Sequence, residues 1–309
     1  MSGPYIPGQG LPLALPFGSS LDTASAQVSE LERQIRGTNT PQTSSAERRL
    51  SQRALAKLND SLPERDRRVL ELVDQHRYLT THQVQAFAFT GHSSADSAAR
   101  PTRSVLRRLE RSLLLRSLDR RIGGARSGSA ARVWQITSGA ARLLRSDGST
   151  YRRTEPSLRF MAHCLAVADA HLALRGLTGS GADRVTVQVE PDSWRWFSGV
   201  GGERRSVQPD LAAVVQTAQY DDRWFVEVDL GTESLPTLLR KCGLYEDYRA
   251  AGIEQSDHGA FPLVLWVLTS SERAERFRRS IDRSPRLTPE LHKVVTTTDL
   301  TSELREVLR

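Results

Sequence analysis

The chain has 309 residues, a net charge of +7 and an isoelectric point of about 9.9. Its length is typical of two domains, and its basic balance favours an anionic partner such as nucleic acid. Two cysteines are too few for a disulfide framework or a cysteine-based zinc site, and no segment approaches the roughly eighteen apolar residues of a membrane span. We therefore expect reduced thiols in a cytoplasmic protein with no membrane association.

The basic charge is concentrated in one segment. Residues 97–132 contain ten arginines against Glu110 and Asp119, a local charge of +8 that leaves −1 for the rest of the chain. Lysine occurs only at Lys57, Lys241 and Lys293, so a lysine close to a candidate site is a notable feature.

The first sixty residues resemble an arm more than a domain. Residues 1 to 22 are rich in Gly, Pro and Ser, a composition typical of disordered segments. Residues 24–36 and 47–58 carry apolar side chains at helical spacing and predict two short amphipathic helices that need a partner surface. Packing on the body, dimerisation and mobility are all open, and we favour an arm that orders only on another molecule.

The next segment has the order helix, helix, basic helix, basic hairpin. Capping-box patterns at Ser61 and Thr80 open the first two helices, and the third is expected to start near Pro101. Two strand-like runs joined by a Gly, Ser and Arg turn follow, which predicts a hairpin. This order resembles a winged helix-turn-helix, whose third helix enters the major groove of double-stranded DNA and whose wing touches the backbone.

The arginines of this segment are the candidate DNA-binding residues. The winged-helix resemblance implies that the third helix presents its arginines outward and that the hairpin carries more of them on the wing: Arg103, Arg107, Arg108 and Arg111 on the helix, and Arg120, Arg121 and Arg126 on the wing. The alternatives are an arginine-rich face that is merely solvated and a winged helix that binds protein.

A polar stretch at 145–156 predicts an interdomain linker, and regular elements resume after it. The periodicity predicts a helix over 157–177, strands at 184–190, 207–215 and 224–230, a helix over 236–250, a buried strand at 261–268 and a helix over 272–281. A further strand near 293–296 and a last helix are expected in the tail. The fold class is therefore mixed α/β.

This αβββαβ order, with its acids, resembles the PD-(D/E)xK nucleases, which have the restriction-endonuclease-like fold. The resemblance implies that Asp210, which follows Pro209, and Glu227 bind Mg²⁺ or Mn²⁺, with Glu190 as an outer ligand. Strand alternation places Asp229 on the same face as Glu227, so three acids are expected to converge. Asp229 stands where the superfamily has a lysine, and Lys241 on the following helix is the candidate replacement.

Several neighbouring residues have plainer interpretations. Acids at strand ends are common, so the nuclease fold could be degenerate and inactive. His163 and Asp169 are interpreted as hydrogen-bonding residues between helix and core, and Tyr245 as packing. Glu233 is interpreted as an acid that complements a helix dipole. Trp194 and Trp196 would either stack on bases or cap the sheet.

Four segments taken together resemble one more specific protein family. Residues 62–84 (LPERDRRVLELVDQHRYLTTHQV), 161–174 (MAHCLAVADAHLAL), 208–215 (QPDLAAVV) and 225–234 (FVEVDLGTES) are similar to the replication-relaxation protein family of actinobacterial plasmids and mobile elements. That resemblance implies DNA processing in plasmid replication or conjugative transfer, with relaxase or replication proteins as partners. A homodimer is left open.

We therefore predict a flexible arm at 1–60, a winged helix-turn-helix domain at 61–147 and a nuclease-like domain at 157–309. The first functional hypothesis is a Mg²⁺-dependent DNA endonuclease or nickase that uses Asp210, Glu227 and Lys241, with Asp229 as a further ligand. The second is a non-catalytic DNA-binding accessory protein with a degenerate nuclease fold. The third is a transcriptional regulator that uses only the winged helix.

Overall fold

The structure is a computed structural model that describes residues 50–118, 132–145 and 156–307. The first predicted arm helix, most of the linker and the wing arginines Arg120, Arg121 and Arg126 lie outside the described residues. We refer to the described part of 50–145 as the first lobe and to 156–307 as the second lobe.

The first lobe is a set of helices packed on a small antiparallel sheet with strand order β1-β3-β2. Its core is built by residues such as Leu70, Val73, Leu106 and Leu109, which are at most 1% exposed. The elements are α1 (Gln52–Ser61), α2 (Glu64–His76), β1 (Leu79–Thr80), α3 (Thr81–Ala88), α4 (Ala95–Arg111), β2 (Leu115–Leu118), β3 (Val133–Ile136) and α5 (Ser138–Leu144).

Helix α1 packs on the body of the protein. Leu50, Leu58 and Leu62 contact the core of the first lobe, and Arg142 of α5 donates to the Leu50 carbonyl at 3.1 Å. The expectation that the second arm helix orders only on another molecule is therefore wrong, because its apolar face already has a partner surface within the chain.

The start of α4 also differs from the prediction. The helix begins at Ala95, six residues before Pro101, because Ser94 and Ser97 form a capping box that satisfies its first backbone donors. The capping box at Thr80 is confirmed, with Gln83 as its second member. The one at Ser61 is wrong: Ser61 ends α1, and its hydroxyl donates to the Lys57 carbonyl at 2.8 Å.

The second lobe is a five-stranded mixed sheet with order β10-β9-β8-β7-β4, which confirms the mixed α/β class. Strand β7 pairs antiparallel with β4 and with β8, whereas β9 pairs parallel with β8 and with β10. The elements are α6 (Leu158–Arg175), β4 (Arg184–Val189), β5 (Arg195–Ser198), β6 (Arg204–Val207), β7 (Leu211–Gln216), β8 (Asp221–Asp229), α7 (Leu235–Ala250), α8 (Ile253–His258), β9 (Leu263–Leu268), α9 (Ser271–Asp282), a 3₁₀ turn (Pro289–Leu291), β10 (His292–Thr296) and α10 (Leu300–Val307).

Between β4 and β7 the chain forms a separate two-stranded hairpin, β5–β6, that the sequence did not predict. The single strand expected over 207–215 is therefore wrong at its start: β6 ends at Val207 and β7 begins at Leu211. Pro209 explains the break, because proline has no N–H with which to continue a ladder.

The alternation predicted for β8 is confirmed. Trp224, Val226 and Val228 pack on the face covered by α6, and Phe225 packs on the opposite face with Tyr245 of α7. Helices thus cover both faces of the sheet. Glu227, on the Phe225 side, is directed towards α7.

Helix α6 contacts both lobes. Its Met161 and Leu165 belong to the core of the second lobe, whereas Ala168 belongs to the core of the first. Gln83 of α3 donates from Nε2 to the Leu165 carbonyl at 2.9 Å and to Asp169 Oδ1 at 2.7 Å. Among the described helices, none combines the length and apolar character that crossing a membrane requires.

Candidate functional site

Asp210 lies in the short connection that leads into β7, and its carboxylate is held on both oxygens. Oδ2 accepts from the backbone N–H of Val228 at 2.7 Å, and Oδ1 lies 2.9 Å from Nε2 of His163 on α6. The bond to Val228 fixes Asp210 beside Glu227, the preceding residue of β8. Two acids that are 17 positions apart in sequence are therefore neighbours.

Glu227 is buried, with 5% of its surface exposed. Its Oε1 accepts from the Tyr245 hydroxyl at 2.7 Å, and its Oε2 accepts from Lys241 Nζ at 3.2 Å. Burial raises the pKa of Glu227 to about 7, an effect opposed by the charge of Lys241 and reinforced by that of Asp210. The carboxyl of Glu227 is therefore harder to ionise than that of an exposed glutamate.

Lys241 reaches this pair of acids from α7. Its Nζ also lies 3.2 Å from Glu233 Oε1. Burial lowers the pKa of Lys241, but the negative charges of Glu227, Glu233 and Asp210 outweigh it, so the net shift is upward. The ammonium group is therefore a permanent cation between acids, and Glu233 contacts it instead of only complementing the helix dipole.

Asp229 does not join the other acids. Its Oδ2 accepts from Arg273 Nε at 2.5 Å, and its Oδ1 accepts from the Gly231 N–H at 3.1 Å. Across the described ranges, no group of three or more His, Cys, Asp or Glu side chains is arranged to hold a metal ion. The three-acid convergence expected from strand alternation is thus not seen, because α9 provides Asp229 with a cation of its own.

A cleft opens beside Asp210 where the two lobes meet. Its wall comes from the end of α2, from α6 and from the end of β4, with these residues lining it: Gln75, His76, Arg77, His163, Cys164, Val167, Val189, Glu190 and Asp210. Burial raises the pKa of the Cys164 thiol to about 12, so this cysteine is not a thiolate nucleophile. The cleft borders the acidic pair on its Asp210 side.

His163 belongs to the candidate site, whereas the sequence predicts for it only a hydrogen bond between helix and core. Burial lowers its pKa, but the hydrogen bond and charge of Asp210, followed by the charge of Glu227, outweigh this and raise it. Asp169, its expected companion in the core, bonds to Gln83 instead. No local signal could reveal the contact with Asp210, which lies 47 positions away and depends on how α6 packs.

Arg77 brings a cation from the first lobe to the cleft. It pairs with Glu190, with 3.3 Å between its Nη2 and Oε1, and its guanidinium lies 5.4 Å from the Phe160 ring centre. Its φ of +65° belongs to the left-handed region that non-glycine residues rarely adopt. Glu190, the expected outer ligand, is therefore engaged by a strained arginine that the sequence analysis did not single out.

The arginines of α4 divide into two kinds. Arg108 donates two hydrogen bonds to Asp66 of α2, at 2.8 Å from Nε and 2.6 Å from Nη2, and Asp66 is only 1% exposed. Among the residues that the structure describes, Arg103, Arg107 and Arg111 form no ion pair. Arg107 and Arg111 are exposed. Arg108 thus ties two helices together, and the other three are available to an anionic ligand.

The comparison with known families gives one match. A family model described as replication-relaxation matches residues 70–264, which is more than half of the chain and includes Asp210, Glu227, Lys241 and His163. No curated protein and no solved structure was found to match. The chain belongs to the replication-relaxation family.

Proposed function

We propose that this protein binds double-stranded DNA and hydrolyses a phosphodiester bond in it, acting in the replication or transfer of a plasmid or mobile element. The observation that carries the proposal is the position of Lys241: α7 holds its ammonium group 3.2 Å from the buried carboxylate of Glu227, beside Asp210. A cation held beside two acids is suited to phosphoryl transfer, because it can stabilise the negative charge that develops on the phosphate.

The donor set fits a Mg²⁺ or Mn²⁺ ion. Mg²⁺ is usually held by one or two carboxylates, with waters and substrate phosphates completing its octahedron, and Asp210 and Glu227 supply two carboxylates. Glu233 adds a buried oxygen, Oε2, that has no hydrogen-bond partner among the described residues. When bound, the ion would polarise the phosphate and lower the pKa of an attacking water.

The protein's own residues have separable roles in this proposal. Tyr245 fixes the orientation of Glu227 through its 2.7 Å bond, and His163 holds Asp210 from the opposite side. Lys241 offsets the negative charge that develops on the phosphate. Asp229 is left out of the ligand set because Arg273 already neutralises it.

The first lobe supplies the DNA contact in this proposal. Its helices and hairpin strands follow the order of a winged helix-turn-helix, and α4 would enter the major groove with Arg103, Arg107 and Arg111 towards the DNA. Because each phosphate contact releases counterions, binding should weaken steeply as salt rises.

Incubation of supercoiled plasmid with the protein and Mg²⁺ or Mn²⁺ tests the enzymatic part. Wild type should convert the plasmid to relaxed or linear product, and Asp210→Ala and Lys241→Met should each lower the rate at least 100-fold. Asp257→Ala, which removes an exposed acid on α8, is the matched control and should retain full activity. Absence of product from wild type, or an Asp210→Ala variant as active as wild type, would refute the nuclease assignment.

One observation favours a second candidate, a non-catalytic DNA-binding accessory protein. The last two acids of β8 are each paired with a cation of the same chain, Glu227 with Lys241 and Asp229 with Arg273. Such pairing stabilises a fold without requiring a metal. The same assay distinguishes the two, because an accessory protein would bind the plasmid with high affinity and release no product with either metal.

A further inference from the structure

The hairpin β5–β6 has two chemically different faces. Phe197 and Val207 are buried on the inner face, where the Phe197 ring lies 5.3 Å from that of Tyr248 on α7. Arg205 fastens the same face by donating to Asp247 at 2.7 Å. The hairpin is therefore attached rigidly to α7, and its outer face is left to solvent.

The outer face carries a large aromatic side chain. The register pairs Trp196 with Ser206 and Ser198 with Arg204, so these four side chains share the outer face. Trp196 is 48% exposed. A single exposed aromatic ring is common on protein surfaces, so the case for a ligand depends on the charged group placed against it.

Arg204 lies directly over that tryptophan. Its guanidinium carbon is 4.0 Å from the centre of the Trp196 ring, and within the described part of the chain Arg204 has no ion-pair partner. Residues 195–207 contain three arginines and one glutamate, a local charge of +2. A cation stacked on an exposed ring is suited to a partner that offers both flat π faces and negative charge.

The hairpin is joined closely to the candidate site. The buried Ser193 hydroxyl, just before β5, donates to the Pro209 carbonyl at 2.6 Å, which fixes the base of the hairpin to the residue before Asp210. Asp210 lies four positions after Ser206, so their Cα atoms are at most about 14 Å apart. The hairpin is therefore a close neighbour of the candidate site in the chain.

We propose that the outer face of β5–β6 binds unpaired bases by stacking them on Trp196, with Arg204 contacting the backbone. Paired bases in a duplex do not expose their flat faces, so this surface selects DNA that is single-stranded or locally melted. The position of the surface along the DNA rests on the proposed function, but its binding of a single strand does not.

The test uses the full-length protein in EDTA and fluorescence anisotropy with labelled probes. The probes are a dT 12-mer, a 12-mer of the same backbone without bases, and a 12-base-pair duplex. Stacking on one aromatic ring is expected to make Trp196→Ala about five- to 150-fold weaker than wild type for the dT probe. Trp196→Phe should retain most of the affinity, and Trp196→Ala should leave binding of the base-free probe unchanged.

Matched controls separate the hairpin from general effects. Val200→Ala alters the exposed tip of the same hairpin and should leave dT binding unchanged, while Arg107→Ala should weaken duplex binding only. Thermal unfolding of Trp196→Ala should match wild type, since the ring is on the outer face. The proposal is overturned if Trp196→Ala binds dT as tightly as wild type, or if wild type binds the base-free probe as tightly as dT.

The outcome is independent of catalysis. Without metal no cleavage occurs, and Asp257→Ala, which removes an exposed acid outside the candidate site, should bind dT like wild type. A protein that cleaves no plasmid, yet binds dT through Trp196, would refute the nuclease assignment and leave the stacking surface standing. A protein that cleaves plasmid but binds dT equally well with and without Trp196 would refute the stacking surface and leave the nuclease assignment standing.

Discussion

Two adjacent arginines on α4 should respond to mutation in opposite ways. Arg108 donates hydrogen bonds of 2.8 and 2.6 Å to both oxygens of Asp66, whose residue is 1% exposed, whereas Arg107 is exposed. Arg108→Ala leaves that carboxylate without its cation. Arg107→Ala removes only a solvated charge.

The size of the stability effect follows from this burial. Hydrogen bonds to a charged group contribute about 1.5–3 kcal/mol, and we expect the lower part of that range because the Arg108 side chain is 47% exposed and its removal admits water. A loss of about 1.5–2 kcal/mol corresponds to a fall in Tm of about 3–8 °C for a domain of this size. Arg107→Ala should change stability by less than about 0.5 kcal/mol.

DNA binding should depend on Arg107 and not on Arg108. If Arg107 contacts a phosphate, its removal lowers the slope of log affinity against log salt by about one. Arg108→Ala should leave that slope unchanged. Thermal unfolding by circular dichroism and anisotropy titrations with duplex DNA between about 50 and 200 mM salt measure the two effects separately.

A double-mutant cycle provides the control. Asp66→Asn combined with Arg108→Ala should be more stable than the sum of the two single losses predicts, because the buried negative charge and its cation are then removed together. An Arg108→Ala variant with the wild-type Tm and a reduced salt slope would refute the reasoning, since Arg108 would then act on DNA and not on Asp66.

Two further predictions follow from strained or buried groups near the lobe boundary. Burial raises the pKa of Asp169 to about 7, so the folded state holds a proton that the unfolded state releases near pH 4. Stability should therefore fall as pH rises from about 4 to about 7, and Asp169→Asn should make that fall smaller in urea titrations at pH 5 and 8, while Glu227, whose pKa is also raised, still contributes to it. Arg77→Gly should be more stable than Arg77→Ala by about 1 kcal/mol, because glycine adopts a φ of +65° without steric cost. Equal unfolding midpoints of the two variants would contradict the strain argument.

The parts of the fold that sequence predicted well are those specified by residues close together in the chain. The alternation of β8 and the capping box at Thr80 depend on spacings of two and three residues, and both are confirmed. The start of α4 was misplaced for a related reason. Residues before a proline favour extended backbone, but α4 begins before Pro101 because the Ser94–Ser97 capping box satisfies two backbone donors.

The candidate site likewise has some features that follow from residues close in sequence and others that depend on helix packing. Spacing placed Asp210 and Glu227 on neighbouring strands and Lys241 on the next helix, and the structure brings the three together. The capture of Asp229 by α9 could not be anticipated, because Arg273 lies 44 positions away and its approach depends on helix packing. The contact of Arg77 with Glu190 could not be predicted either, because Arg77 comes from the other lobe.

The geometry of α6 accounts for why His163 and Asp169 have different partners. Six residues advance an α-helix by about 9 Å and turn it so that the two side chains point about 120° apart. One face therefore delivers His163 to Asp210 in the second lobe, while the other presents Asp169 to Gln83 in the first. Because one rigid helix makes both contacts, a rotation of the first lobe on DNA must either break the bond from Gln83 or displace His163. The DNA-reading surface that we propose and the candidate site are thus connected through a single element.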